Sequence, residues 1–257
     1  MSKRKSNDGM EQAKKNCELL LNTLLSFSLN LVRFTNKSCK EPKGVATGFL
    51  IQKGKKVYLL SAGHAMRRKA QWYWETNIIL EQEREVLCLP VGPFHFLKGF
   101  VADKDGVLKG KLLDVAWCEI DLQKLKLILT SQPRLAAAKL ELSVYQGPLD
   151  TVPILKKEPY SFAAQSRATL VPLGTLFLRR EACFETCMEY ESRKKDGRYV
   201  FRLDGLHKGH KHYQGVSGAP IAAPDGKIVS MVLGGHAKKN QIFGLDLARF
   251  TPLIGLS

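Results

Sequence analysis

Residues 45–64 read V-A-T-G-F-L-I-Q-K-G-K-K-V-Y-L-L-S-A-G-H. Two apolar runs flank Lys53-Gly54-Lys55, which carries turn chemistry, so the stretch predicts a hairpin of strands 44–52 and 56–62. The second strand reads as buried and delivers His64 at its end. Working outward, Leu29 and Leu31 alternate with Ser28, Asn30 and Arg33, which predicts a strand over 29–35. Before it, Leu20, Leu21, Leu24 and Leu25 fall at helical spacing behind a charged half from Glu11 to Glu18, which predicts an amphipathic helix from about Gly9 to Ser26. Residues 1–8 are charged and polar and are expected to form a disordered tail. Downstream, strands are predicted over 78–80, 86–90, 114–120, 169–172, 176–178, 182–190, 199–203, 219–222, 228–233 and 242–246, with a second hairpin tip at Asp196-Gly197. The middle differs: Leu122, Leu125 and Leu129 look briefly helical, and then Gly147, Pro148, Pro153 and Pro159 break the pattern. Two β-rich halves joined by a connection, with helices only at the periphery, predict an all-β barrel or sandwich architecture.

The 257-residue chain carries 40 Lys plus Arg against 24 Asp plus Glu, a formal net charge of +16, with 44% hydrophobic residues. That composition suits a folded core and excludes disordered, collagen-like and coiled-coil classes. The charge allows nucleic acid, lipid headgroups or acidic protein segments as partners and does not choose among them. The apolar run 19–32 is interrupted by Asn22, Thr23, Ser26, Ser28 and Asn30, too polar and short for a membrane span, and it fits a secretory leader poorly. The six cysteines are therefore expected to be reduced thiols of a cytoplasmic protein. Cys183 and Cys187, in an alternating stretch, are expected on one face of a strand; a zinc site would need two more ligands at partner spacing, so no metal is assigned.

Three segments carry chemistry: Tyr58–Met66, which ends its strand on His64; Leu112–Trp117, which sets Asp114 between apolar residues; and Gly215-Val216-Ser217-Gly218-Ala219-Pro220, a serine in a glycine-rich turn before an apolar strand. A serine hydroxyl is a poor nucleophile unless an imidazole takes its proton. The imidazole needs its other nitrogen held in one tautomer, and a carboxylate in an apolar run needs a partner of its own, for which a histidine is one candidate. Gly215 permits the backbone angles that aim its own amide and that of Ser217 at one point, where a developing oxyanion would sit.

Taken together and in this order, His64, Asp114 and Ser217 resemble the chymotrypsin/trypsin-like serine protease family, whose triad is the standard worked template for this chemistry. T-G-F-L-I…Y-L-L-S-A-G-H resembles that family's first-barrel hairpin, and G-V-S-G-A-P resembles its G-x-S-G-G-P nucleophile turn, with the likeness running from about Leu29 to Ile254. The resemblance implies a chymotrypsin-like double β-barrel with a peripheral N-terminal helix. It divides the chain into a tail and helix (1–27) and a peptidase domain (28–257), with a first barrel over about 28–121, a connection over 122–159 and a second barrel over 160–257. It implies peptide-bond hydrolysis through an acyl-enzyme, with Ser217 as nucleophile, His64 as general base, Asp114 as orienting carboxylate, an oxyanion hole of the Gly215 and Ser217 amides, and no cofactor. Secreted trypsins carry an aspartate where this chain has Val216, for pairing with a new N-terminus. Val216 cannot form that ion pair, which implies a non-zymogen member of the bacterial or viral type. Ala219 replaces the family's second glycine, and no family disulfide pattern surrounds His64 or Ser217.

The loop Leu206–Gln214 runs into the nucleophile turn and, by the same resemblance, walls the primary pocket. Lys211 is expected at its floor, with His212, Gly234, Gly235 and His236 nearby, which would favour an acidic or glutamine side chain before the scissile bond. Two other readings stay open. The loop's His-x-x-His-x-His spacing could capture a transition metal, or the loop could be a solvated basic surface. Arg67–Trp74 mixes cations with aromatics as nucleic-acid surfaces do, although packing accounts for Trp72 and Trp74 more simply. The rival of another class is a protease-like binding module whose basic surface holds nucleic acid or an acidic partner.

Overall fold

The computed structural model describes residues 2–34, 42–67, 71–80, 85–102, 108–121, 123, 125–126, 134–135, 138–139, 142–153, 158–172 and 176–254. The chain opens with helix α1 (Ser2–Phe27), then strands β1 (Ser28–Phe34), β2 (Pro42–Lys53) and β3 (Lys56–Ala62), and a single turn of helix α2 (Gly63–Met66). Strands β4 (Trp72–Leu80), β5 (Glu85–Pro90), β6 (His95–Ala102) and β7 (Leu108–Ile120) complete a seven-stranded sheet, ordered β5-β4-β1-β2-β3-β7-β6. A short pair, β8 (Arg134–Leu135) and β9 (Ala138–Lys139), lies in the connection. The second half, β10 (Pro159–Pro172), β11 (Leu176–Arg193), β12 (Arg198–Arg202), β13 (Pro220–Ala222), β14 (Ile228–His236) and β15 (Gln241–Asp246), closes into a six-stranded barrel.

The hairpin that opened the sequence reading forms as expected, with β2 and β3 paired from Gly48–Ser61 to Lys53–Lys56. Its alternation points Leu50 and Leu59 into a first-barrel core with Leu31 of β1 and with Trp72, Trp74 and Ala116. Tyr160, Phe162, Tyr199 and Phe201 fill the second barrel. A third cluster joins the halves, because Phe49, Tyr58, Leu60 and Trp117 from the first sheet pack with Ile228, Met231 and Leu245 from the second. Tyr145, in the connection, is bonded to both. Its amide donates to the Leu50 carbonyl at 3.0 Å, its carbonyl accepts from Gln52 at 2.9 Å, and its hydroxyl accepts from the Ile228 amide at 3.1 Å.

Several expectations shift. α1 begins at Ser2, so the stretch expected to be a disordered tail is helical; its lysines and arginine favour helix, and one Gly9 costs only about 1 kcal/mol. The helix seats Leu24, fully buried, against Ala163 and Ala222 of the second barrel. The predicted strands 176–178 and 182–190 are one long strand, and β10 starts at Pro159 because proline is tolerated as a first strand residue. Cys183 and Cys187 do not share a face. The β10–β11 register shifts at a bulge, Cys187 takes φ 57° and is exposed, and Cys183 points into the barrel. Leu122 and Leu129, expected to open a short helix, lie outside the described residues, as does Cys39.

Candidate active site

β3 and β7 run antiparallel with Ala62 opposite Val115, so the residue just past the end of β3 meets the one just before Val115. Gly63 makes this closeness possible: a Cβ there would lie 2.8 Å from the Val115 nitrogen and 2.9 Å from the Leu113 carbonyl. The His64 amide donates to Asp114 Oδ1 at 2.6 Å, and Nδ1 stands 3.0 Å from each carboxylate oxygen. A carboxylate only accepts, so Nδ1 carries the proton and Nε2 is left as an acceptor, 3.2 Å from Ser217 Oγ. Burial works to raise the Asp114 pKa. The hydrogen bond and charge of the His64 ring, the His64 amide and the Arg67 charge outweigh it, and the carboxyl sits below its ordinary value. His64 is exposed, open to an approaching ligand.

Ser217 sits in a turn that the first sheet grips from behind. Thr47, in the middle of β2 and fully buried, donates its amide to the Ser217 carbonyl at 3.0 Å and its hydroxyl to the Gly215 carbonyl at 2.8 Å. Ser61 Oγ donates to the Thr47 carbonyl at 2.7 Å. On the other side the Gly218 amide donates to Val232 O and the Val232 amide to Ala219 O, both at 2.8 Å, which ties the turn to β14. Gly218 has φ 98°, and a Cβ on it would fall 1.9 Å from Thr47 O, so only glycine fits. The Val216 amide donates to Tyr213 O at 3.3 Å across a turn in which Gly215 has φ 92°. Among the described residues no acceptor takes the Gly215 or Ser217 amide. The structure thus brings His64, Asp114 and Ser217 into one hydrogen-bonded chain, with Gly215 beside it.

The expected pocket residues separate. Gly234, Gly235 and His236 form the last, partly exposed part of β14, paired with Phe243, Ile242 and Gln241. Lys211 is exposed, so it makes no buried cationic floor; an ammonium is strongly hydrated and stays in water where the turn allows it. His212 instead sets its ring edge to face on Tyr213, centroids 4.9 Å apart. His207 is half-buried, with its Nε2 enclosed. Its ring lies 4.5 Å from that of Tyr213, and its Nε2 is 2.7 Å from where a Cβ on Gly235 would be. Nδ1 accepts from the Gly209 amide at 3.1 Å, while Nε2, enclosed, has no hydrogen-bond partner among the described residues. Burial, helped by the charge of His210, pushes the His207 pKa down. Asn240 fixes the loop, accepting from the His207 amide at 2.6 Å and donating to the Gly205 carbonyl at 2.6 Å. Tyr213 Oη and Lys208 Nζ both donate to Glu185 Oε1, at 2.7 and 2.8 Å. No group of three metal-ligating side chains gathers among the described residues.

Sequence reasoning missed Thr47 and Asn240, and it read His207 only as part of the pocket-walling loop and its metal-capable spacing. A threonine inside an apolar strand, flanked by Ala46 and Gly48, is a weak signal of a buried hydroxyl in use. Asn240 is legible only as a turn former, which it is, at φ 56°.

No protein-family model and no curated protein sequence matches the chain. Among solved structures it is similar to a mutant of human heparin binding protein (CAP37), with TM-score 0.54, 12% identity and 91% of each chain covered. It is also similar to GrC, with TM-score 0.52, 12% identity, and 91% of this chain and 94% of that one covered. A serine endoprotease from Yersinia pestis gives TM-score 0.48 at 12% identity; the match covers 91% of this chain and 64% of that longer one. The first two of these likenesses place the chain in the chymotrypsin-like double β-barrel fold, as the resemblance implied.

Proposed function

We propose that the protein is a serine endopeptidase. The observation that carries this is the unbroken hydrogen-bonded chain from Asp114 through His64 to Ser217 Oγ, assembled from both halves of the molecule. In this reading Ser217 attacks the substrate carbonyl while Nε2 of His64 takes its proton. Asp114 holds the tautomer and stabilises the imidazolium. The amides of Gly215 and Ser217 receive the negative charge that develops on the carbonyl oxygen. His64 then gives its proton to the leaving amine, and water enters by the same path to release the acyl group. These steps need side chains and backbone alone. Because the imidazole must start neutral, activity falls in acid.

The side chain before the scissile bond is read as glutamine or an acidic residue. With Nδ1 of His207 accepting from Gly209, the neutral ring carries its proton on Nε2, a buried donor facing Gly235 with no acceptor among the described residues. A side-chain carbonyl or carboxylate oxygen supplies one. An intracellular setting, where thiols stay reduced, belongs to the same reading. Among the described residues no helix is long and apolar enough to cross a membrane.

A fluorophosphonate probe tests the chemistry. Labelling of the native protein and none of Ser217→Ala is the expected result. Absence of labelling, with salt-sensitive binding to nucleic acid, would instead favour the binding module. Profiling on a peptide library tests the pocket: cleavage after Gln or Glu is expected, and cleavage mainly after Arg or Lys removes the assignment to His207.

A further inference from the structure

We propose that Thr47 is a positioning residue whose hydroxyl, reaching across from the first barrel, holds the oxyanion hole open. This rests on the peptidase reading and concerns how that site is kept in working order. The two candidate oxyanion donors belong to the peptide units 214–215 and 216–217. Thr47 grips the units that alternate with them: its hydroxyl takes the Gly215 carbonyl at 2.8 Å, and its amide takes the Ser217 carbonyl at 3.0 Å. Two carbonyls drawn back toward β2 leave the cleft side to amides.

The restraint matters because the turn is intrinsically loose at this point. Gly215 has no Cβ to resist rotation, and its φ of 92° is one of several angles a glycine adopts easily. A swing of the 215–216 peptide would bring the Gly215 carbonyl, an acceptor, into the place where the oxyanion forms. The only bond within the turn that opposes this swing directly is the long one from the Val216 amide to Tyr213 O, at 3.3 Å. Val216 itself is buried among apolar residues and offers no charge to fix the turn. The hydroxyl of Thr47 is in turn well founded. Its residue is fully buried in a central strand, paired with β1 at Asn30, and its carbonyl accepts from Ser61. A rigid ladder in one barrel thereby sets the backbone of a flexible turn in the other.

Two substitutions separate the hydroxyl from the methyl group. Thr47→Val keeps the shape and removes the donor; Thr47→Ser keeps the donor and removes the methyl. Turnover of p-nitrophenyl acetate, unfolding temperature and fluorophosphonate labelling are measured for both and for the native protein. Deleting an oxyanion donor outright costs ~10²–10³ in kcat, and loosening one costs less, so Thr47→Val should lower kcat about 10- to 100-fold. KM should move less than about threefold, and Thr47→Ser should recover most of the loss. The proposal is overturned if Thr47→Val turns over like the native protein. It is equally overturned if Thr47→Ser is as impaired as Thr47→Val, or if kcat falls only in proportion to lost folded protein. A native protein that neither labels nor turns over refutes the peptidase reading itself, and this inference with it; labelling by the native protein tells the two failures apart.

Discussion

Inside the first sheet, the β3–β7 ladder sets His64 beside Asp114, and three hydrogen bonds join them. Between the barrels, a single 3.2 Å contact joins His64 to Ser217. The first arrangement is local and redundant: strand register fixes it, and a backbone amide shares the work with the ring. The second depends on how the first sheet and the closed second barrel sit against each other, so it inherits every error in that docking. The molecule spends much of its buried chemistry on that problem. The mixed cluster around Phe49, Trp117 and Met231, the bridge that Tyr145 makes between β2 and Ile228, and the grip of Thr47 all span the same seam. A proline- and glycine-broken connection thus contributes more to the site than its sequence suggests, since Tyr145 extends β2 on one side and receives β14 on the other.

The sharpest way to break the comparison is to remove one end of each pair. Ser217→Ala, on the seam, should abolish peptide hydrolysis, a loss of ~10⁶ in kcat by the yardstick of other serine hydrolases, without lowering the unfolding temperature. Asp114→Asn, inside one barrel, should cost ~10⁴ in kcat while leaving the fold intact, because the amide invites the wrong imidazole tautomer; steady-state kinetics against the same peptide rank the two. Tyr145→Phe tests the seam without touching the reacting groups. It leaves the buried Ile228 amide unpaired, worth about 1–3 kcal/mol, and should lower the unfolding temperature by roughly 2–4 °C per kcal/mol. Its kcat should fall far less than that of Asp114→Asn, and an equal fall would show that the seam tolerates no slack. The smallest effect is in acid. A carboxyl held below its ordinary value of 3.8 stabilises the folded state fully above that value and loses the contribution as pH falls through the lowered one. Denaturant midpoints of the native protein and Asp114→Asn, followed downward in pH, should therefore converge only below about pH 4.

How much of this was legible in the sequence follows the same division. The β2–β3 hairpin and the order of His64, Asp114 and Ser217 could be read because each is a local pattern of alternation, turn chemistry and glycine. β6 was missed, since Gly99 and Lys98 interrupt its apolar run and Pro93 precedes it. The long β10–β11 ribbon was cut short because Pro159 reads as a breaker from sequence and as a strand start in space. The bulge that turns Cys187 outward leaves no mark on the alternation of residue types. Most of all, the contacts that cross the seam join residues 168 and 83 positions apart, Thr47 to Gly215 and Tyr145 to Ile228, and no local period encodes them. Lys211 was placed by analogy of position, and it lies exposed in its turn.

Helix α1 bears on the timing of assembly. It is made well before the residues it packs on, since Leu24 rests on Ala163 and Ala222, and Ser26 bonds to Ser143. The same delay applies to Thr47, which waits for residues 215–217. At ~5–20 residues per second, the first sheet can fold many seconds before its partner emerges. During that interval the growing chain holds an imidazole and a carboxylate with nothing to activate. Ser217 joins them only once the second half has been made, so on the peptidase reading the site stays incomplete until both halves are in place.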